Sequence, residues 1–301
     1  MSLIAFIGAI EMGLLFGIVA LGVFISFRVL DFPDLTVDGS LPLGAATAAT
    51  LIVNGTNPFL ACGVAFIAGG CAGFVTAWLN VRLGILHLLA SILTMIALYS
   101  VNLRVMGKPN QALLGEETVF TPFENFIDLP YYWVTPIVLL TIVVAILVLL
   151  NLFLSSEIGL GMRATGVNAR MASAQGIRTG KMKLTGIALS NALVALAGAL
   201  FAQIQGGADI TMGVGVIVVG LAAVILGEAT VSMRTIVLAT IGCVVGSILY
   251  RVVVAVALNV DFIGLQAQDL KLVTAVLVIL AMTLPNARKK WAKRKAVKGT
   301  L

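Results

Sequence analysis

"FPDLTVDGSLPLGAA", Phe32 to Ala46, sits between apolar stretches yet carries Asp34, Asp38, Pro33, Pro42 and a series of turn-forming residues. Hydrocarbon offers irregular backbone no hydrogen-bond partner, so such a break within a membrane domain has to be buried in protein or line a cavity. Its reading separates a bundle of plain spans from an all-α membrane fold with interrupted helices.

The surrounding sequence is that of an integral membrane protein. Of 301 residues, 60% are hydrophobic and 11% charged, against about 25% charged in a soluble domain, and the mean hydropathy is +1.11. Uncharged runs at Gly39–Val81, Leu129–Ser156, Leu184–Ala208 and Ile210–Gly227 reach or approach the roughly 20 residues that a crossing helix needs. Cys62, Cys71 and Cys243 fall inside apolar runs at no metal-ligand spacing and read as small buried hydrophobes.

The net charge of +6 is concentrated, with seven basic residues and no acid in Asn286–Leu301. Under the positive-inside rule this basic tail, 286–301, is a cytoplasmic anchor rather than a nucleic-acid site. Counting back from a cytoplasmic C-terminus gives about nine transmembrane helices. They fall near Met12–Phe27, Gly39–Val53, Pro58–Asn80, Gly84–Val105, Tyr131–Leu154, Leu184–Ile204, Ile210–Gly227, Thr235–Leu258 and Leu270–Leu284. Ser2–Ile10 is expected along the outer surface, which keeps Glu11 at the interface. The loop Gly107–Asp128 is acidic and outside. Ser155–Lys183, with Arg163, Arg170, Arg178, Lys181 and Lys183 against Glu157 alone, is inside.

The opening stretch has a counterpart. Pro33–Leu51 aligns without gaps to Ala208–Leu226, pairing Asp34 with Asp209 and Thr36 with Thr211. One copy falls inside and the other outside, the sign of an inverted-topology repeat (about 12–105 and 183–284) within one transmembrane domain spanning 1–301. On this reading Asp34, Thr36, Asp38, Ser40, Asp209 and Thr211 either cap helices or line a solute path. Arg251 interrupts an apolar run and is expected to pair with Asp209, Asp261 or Asp269, or else to meet an anionic group on a solute.

Catalysis is not indicated. The chain has no Gly-x-x-x-x-Gly-Lys-Ser/Thr phosphate loop, its single histidine, His87, has no second ligand at a useful spacing, and no nucleophile, base and orienting acid stand together. We read it as no enzyme, with no metal site.

"GLGMRATGVNARMASAQGIRTGKMK", Gly159–Lys183, predicts a helix of about two turns. Asn168 is its N-cap, and Gly176 stops it after Gln175. Ala169, Ala172 and Ala174 permit close approach, while Arg163, Arg170 and Gln175 offer directed polar contacts. The pattern from Arg163 to Ile177 resembles the coupling-helix segment of permease subunits in bacterial ABC importers of the branched-chain amino acid and ribose type. "DLTVDGS" (Asp34–Ser40), "LGE" (Leu226–Glu228), "GSILYR" (Gly246–Arg251) and "DLKLVTAVLVILAM" (Asp269–Met282) are similar to the same family in order and spacing.

The resemblance implies a permease subunit in the bacterial cytoplasmic membrane, acting as a homodimer in lipid. Arg163, Asn168, Arg170, Met171, Ala172, Gln175 and Gly176 would engage an ATP-binding cassette subunit, which carries the ATP and Mg; this chain itself would hold no cofactor. A solute-binding protein would deliver the cargo. Asp38 and Pro42 depart from the family pattern and favour an amino acid or similar organic molecule over a sugar. The rival reading is a stand-alone ion-coupled secondary transporter, which needs membrane-embedded titratable groups.

Overall fold

Local chemistry sets the ends of helix α3 (Pro58–Leu83). The Asn57 side chain accepts the Phe59 N–H at 2.9 Å, Pro58 takes a first-turn position where an N–H is dispensable, and Gly84 closes the helix at φ 69°. The computed structural model describes residues 3–126, 131–231, 234–258 and 276. Among them, six helices are long and apolar enough to cross a membrane. They are α1 (Leu3–Val23) with its π-helical continuation Phe24–Val29, α3, α4 (His87–Met106), α6 (Tyr131–Ser155), α9 (Thr179–Gln205) and α11 (Ile236–Leu258). Two shorter apolar helices, α2 (Val37–Val53) and α10 (Val216–Thr230), occupy the two stretches aligned above. The expected span Leu270–Leu284, apart from residue 276, the acids Asp261 and Asp269, and the basic tail lie outside the described residues.

Two faces can be told apart. Strand β1 (Asn110–Ala112), which follows α4, pairs antiparallel with β2 (Gly207–Asp209), which follows α9, so both connections share one side, the hairpin face. Residues 155–183 lie at the opposite, basic face, with α7 (Glu157–Val167) and α8 (Ala169–Ala174). There Lys183 Nζ meets His87 Nε2 at 3.3 Å, and Arg28 pairs with Glu228. On the hairpin face a small helix, α5 (Thr121–Phe126), follows β1. Helix α9 is the axis: 72% of its apolar window is buried, against 28% for α4 and α6, so the latter two present their outer flanks to lipid. Helix α2 packs on α9 backbone to backbone, because Gly44 stands against Ala195 and Gly198 against Leu41 where any Cβ would overlap.

Three expectations change. Among the described residues the stretch expected along the surface, Ser2–Ile10, is part of α1 from Leu3 onward: nothing in this apolar sequence breaks a helix, and Glu11 faces a cavity shared with Thr118, Glu124 and Gln203. Ile210–Gly215 is a series of turns rather than the start of a span, and Gly215, at φ 86°, delays the helix to Val216. Cys62 and Cys243 are buried, but Cys71 is exposed on the lipid-facing side of α3.

Candidate functional site

Near the middle of α9 the opening stretch turns back into the protein. Asp34 Oδ1 accepts the Thr36 N–H at 2.9 Å, and its Oδ2 accepts from Asn191 Nδ2 at 2.6 Å. The Asn191 amide also donates to the Ile187 carbonyl, and its Oδ1 accepts from Ser40 Oγ at 2.7 Å. Thr36 Oγ1 and Thr76 Oγ1 lie 2.8 Å apart. All five side chains are fully buried, which satisfies the rule that a polar group inside must find partners. Through this network α2 is tied to α3 and α9.

Asp38 lies in the first turn of α2, yet it serves another helix. Its Oδ1 accepts the Ile217 N–H at 2.8 Å and its Oδ2 the Gly215 N–H at 3.1 Å. Helix α10 has no side-chain cap of its own, so a carboxylate 177 residues away supplies it. The charge thus stands between the positive ends of two helix dipoles. Pro42, inside α2, lacks the N–H that would bond the Asp38 carbonyl, and Gly213 packs against that carbonyl and the Pro42 ring. From this junction α2 runs to the hairpin face, where Thr50 meets Val105, and α10 runs to the basic face, where Glu228 meets Arg28. Two half-length helices therefore start together and leave in opposite directions.

The counterpart motif repeats the local geometry of the first. Asp209 Oδ1 accepts the Thr211 N–H at 2.7 Å and the Thr211 hydroxyl at 2.5 Å. Both Asp-x-Thr motifs thus form the same side-chain-to-backbone turn, two residues long.

On the basic face, Asn168 Oδ1 accepts the Met171 N–H at 3.0 Å and caps α8. The helix closes with the Gly176 N–H on Ser173 O and the Ile177 N–H on Ala172 O, with Gly176 at φ 84°, the two crossed bonds of a Schellman motif. Arg170 and Met171 project outward, and Met171 is 64% exposed, whereas Ala172 is buried. The result is a short, rigid, exposed knob.

A family model described as "Branched-chain amino acid transport system / permease component" matches residues 6–283. The chain belongs to this permease family. It is 37% identical over 281 residues to the tyrosine transport system permease protein of Clostridioides difficile, covering 93% of this permease and 91% of that protein. It is 34% identical to an uncharacterized protein of Rickettsia prowazekii, covering 92% and 96%. A probable branched-chain amino acid transport permease protein, LivH of Methanocaldococcus jannaschii, is 26% identical over 208 residues, about two thirds of each chain (66% and 65%). The fold is shared with the structure "PsaBC from Streptococcus pneumoniae in complex with Fab", at TM-score 0.51 and 14% identity, covering 92% of this permease and 89% of that chain.

The residues singled out in the permease sequence fall into separate groups. Asp34, Thr36 and Ser40 share the buried network, Asp38 caps α10, and Asp209 and Thr211 stand at the hairpin side. Arg251 joins none of them. Its guanidinium carbon lies 3.9 Å from the centre of the Phe16 ring, which in turn meets Phe201 edge-on. The expected pair with Asp209 does not form: among the described residues the ion pair is Arg28–Glu228, while Asp261 and Asp269 lie outside those residues. Arg163 is also apart from the α8 knob and borders a cleft with Arg28 and Glu228. Sequence reasoning missed Asn191, Thr76 and Asn102, whose amide donates to the Gly39 carbonyl at 3.2 Å. An amide in an apolar helix was the available signal.

Proposed function

We propose that this permease is the membrane-spanning subunit of an ATP-driven importer for an amino acid or similar small organic molecule. The observation that carries the reading is α8: a capped, exposed, six-residue helix on a basic face offers a partner subunit rigid polar and apolar contacts without a charged interior. Arg170, Met171 and Gln175 make the contact with an ATP-binding cassette subunit, which holds the ATP and Mg. Asn168, Ala172 and Gly176 hold the helix in shape, and Arg163, apart from it, lies in the neighbouring cleft with Arg28 and Glu228. Two copies of the chain form the path in the bacterial cytoplasmic membrane, with the C-terminus inside. The acidic segment 107–128 receives a solute-binding protein from outside. The tyrosine transport name of a 37% identical relative and the family description support an amino-acid cargo.

Helices α2 and α10 are the matching interrupted helices of an inverted repeat, supported by their common origin beside Asp38 and their opposite directions. Such pairs sit beside the solute path in transport proteins. Asp38, Asp209, Thr211 and Arg251 are the groups we assign to its neighbourhood, and Asp34, Thr36 and Ser40 hold the re-entrant backbone behind it.

Reconstituted uptake tests the proposal. Permease co-expressed with its ATPase and binding protein should accumulate amino acid only with ATP, and Arg170→Glu with Met171→Glu should abolish copurification of the ATPase and reduce uptake by more than tenfold. Uptake driven by an ion gradient without ATP, or full ATPase retention by the double variant, would sink it. Ala172 is a poor probe, since a buried carboxylate there would unfold the knob itself.

A further inference from the structure

Between α3, α6 and α9 lies an apolar trough of about 600 Å3. Gly70, Ala188, Ala192, Phe66, Leu149 and Phe153 are among the residues that line it. Along α9 it extends from Thr185 to Leu196, about 16 Å at helical rise, close to half of the ~30 Å hydrocarbon core. It is therefore one leaflet deep.

Charge lies beyond the Thr185 end of the trough. Lys181 stands one helical turn before Thr185 on the same face of α9, and the Thr185 hydroxyl donates to the Lys181 carbonyl at 3.0 Å. Lys181 and Arg178, both exposed, border a second cleft with Glu157 and Met182 at the basic face. Gly180 packs so closely on Val81 near the end of α3 that a Cβ there would overlap it. The first turn of α9 adds the positive end of its dipole. An apolar slot one leaflet deep, closed by cations at the membrane surface, matches an amphiphile with a single charged end.

The geometry points to a bound anionic phospholipid, with one acyl chain in the trough between α3, α6 and α9 and its phosphate against Lys181 and Arg178. A second helix packed into the same trough would have no use for the cations, and a zwitterionic lipid would gain little from them. Each cation at a membrane surface favours an anionic lipid by roughly fivefold, so the pair gives a preference of roughly 25-fold.

Native mass spectrometry of the purified full chain, exchanged into mixed micelles of phosphatidylglycerol and phosphatidylcholine, tests this. Wild type should retain phosphatidylglycerol over phosphatidylcholine. Lys181→Ala with Arg178→Ala should erase the preference, Ala188→Trp should expel both lipids, and Arg104→Ala on the hairpin side should change neither. Equal retention of the two lipids by wild type, or an unchanged preference in the double variant, overturns the assignment. So does disulfide formation between copies by Leu149→Cys in a Cys71→Ser background, which would give the trough to a second copy, or crosslinking of that cysteine to one introduced within residues 270–284.

Discussion

Asp38 is one carboxylate shared by two helix starts, and its loss is felt by both. Asp38→Ala leaves the Gly215 and Ile217 N–H groups unpaired in the interior, at a cost of about 2 kcal/mol. Asp38→Asn keeps an acceptor oxygen and should lose about half of that. Thermal unfolding of the purified permease in one detergent should rank wild type above Asn and Asn above Ala; the reverse order would mean that the charge there is a burden. Asn191 is the second test. Truncation to Ala strands the Asp34 carboxylate and the Ser40 hydroxyl at once, which should destabilise by about 3 kcal/mol. Asn191→Leu should do no better despite its greater apolar volume, and a stability equal to wild type in either variant would remove the network from the account of the fold.

At the scale of the element, α8 and α10 make opposite lessons. Helix α8 is local: Asn168, three residues before Met171, and Gly176, just past the last turn, define both ends within nine residues of sequence. That is why its bounds were legible. Asn168→Ala should cost about 1 kcal/mol of local stability, and amide exchange across Ala169–Ala174 should quicken several-fold while α9 stays protected. Unchanged exchange would mean that packing on α7, rather than the cap, holds the knob. Helix α10 starts where it does because Gly215 turns the chain and Asp38 caps its first turn, and no window around Val216 contains Asp38. Its apolar run therefore reads as beginning at Ile210, six residues early. The same blindness hid Asn191 and Thr76, whose meaning depends on what faces them. The continuity of α1 was missed for a different reason: Glu11 suggested an interface, but the polar cavity beside it lets the helix pass without a break.

Over the whole molecule, the places of the long apolar helices along the chain were legible because apolar length is read directly from the sequence. The pairing of β1 with β2 ties the loop after α4 to the loop after α9, and the contacts of Lys183 with His87 and Arg28 with Glu228 gather the other ends. A cysteine at Asn110 and one at Arg170 should therefore react with a membrane-impermeant maleimide from opposite sides of sealed vesicles. Labelling of both from the same side would overturn the arrangement. The Asp38 cap also bears on how the protein is made. The ribosome emits Asp38 177 residues before Gly215, and at about 5–20 residues per second the partner arrives roughly 10 to 35 s later. Throughout that interval a nascent carboxylate waits in or beside the membrane without its amides. The cap forms only after the chain beyond Ile217 has been made, so the start of α2 reaches its final surroundings late in synthesis.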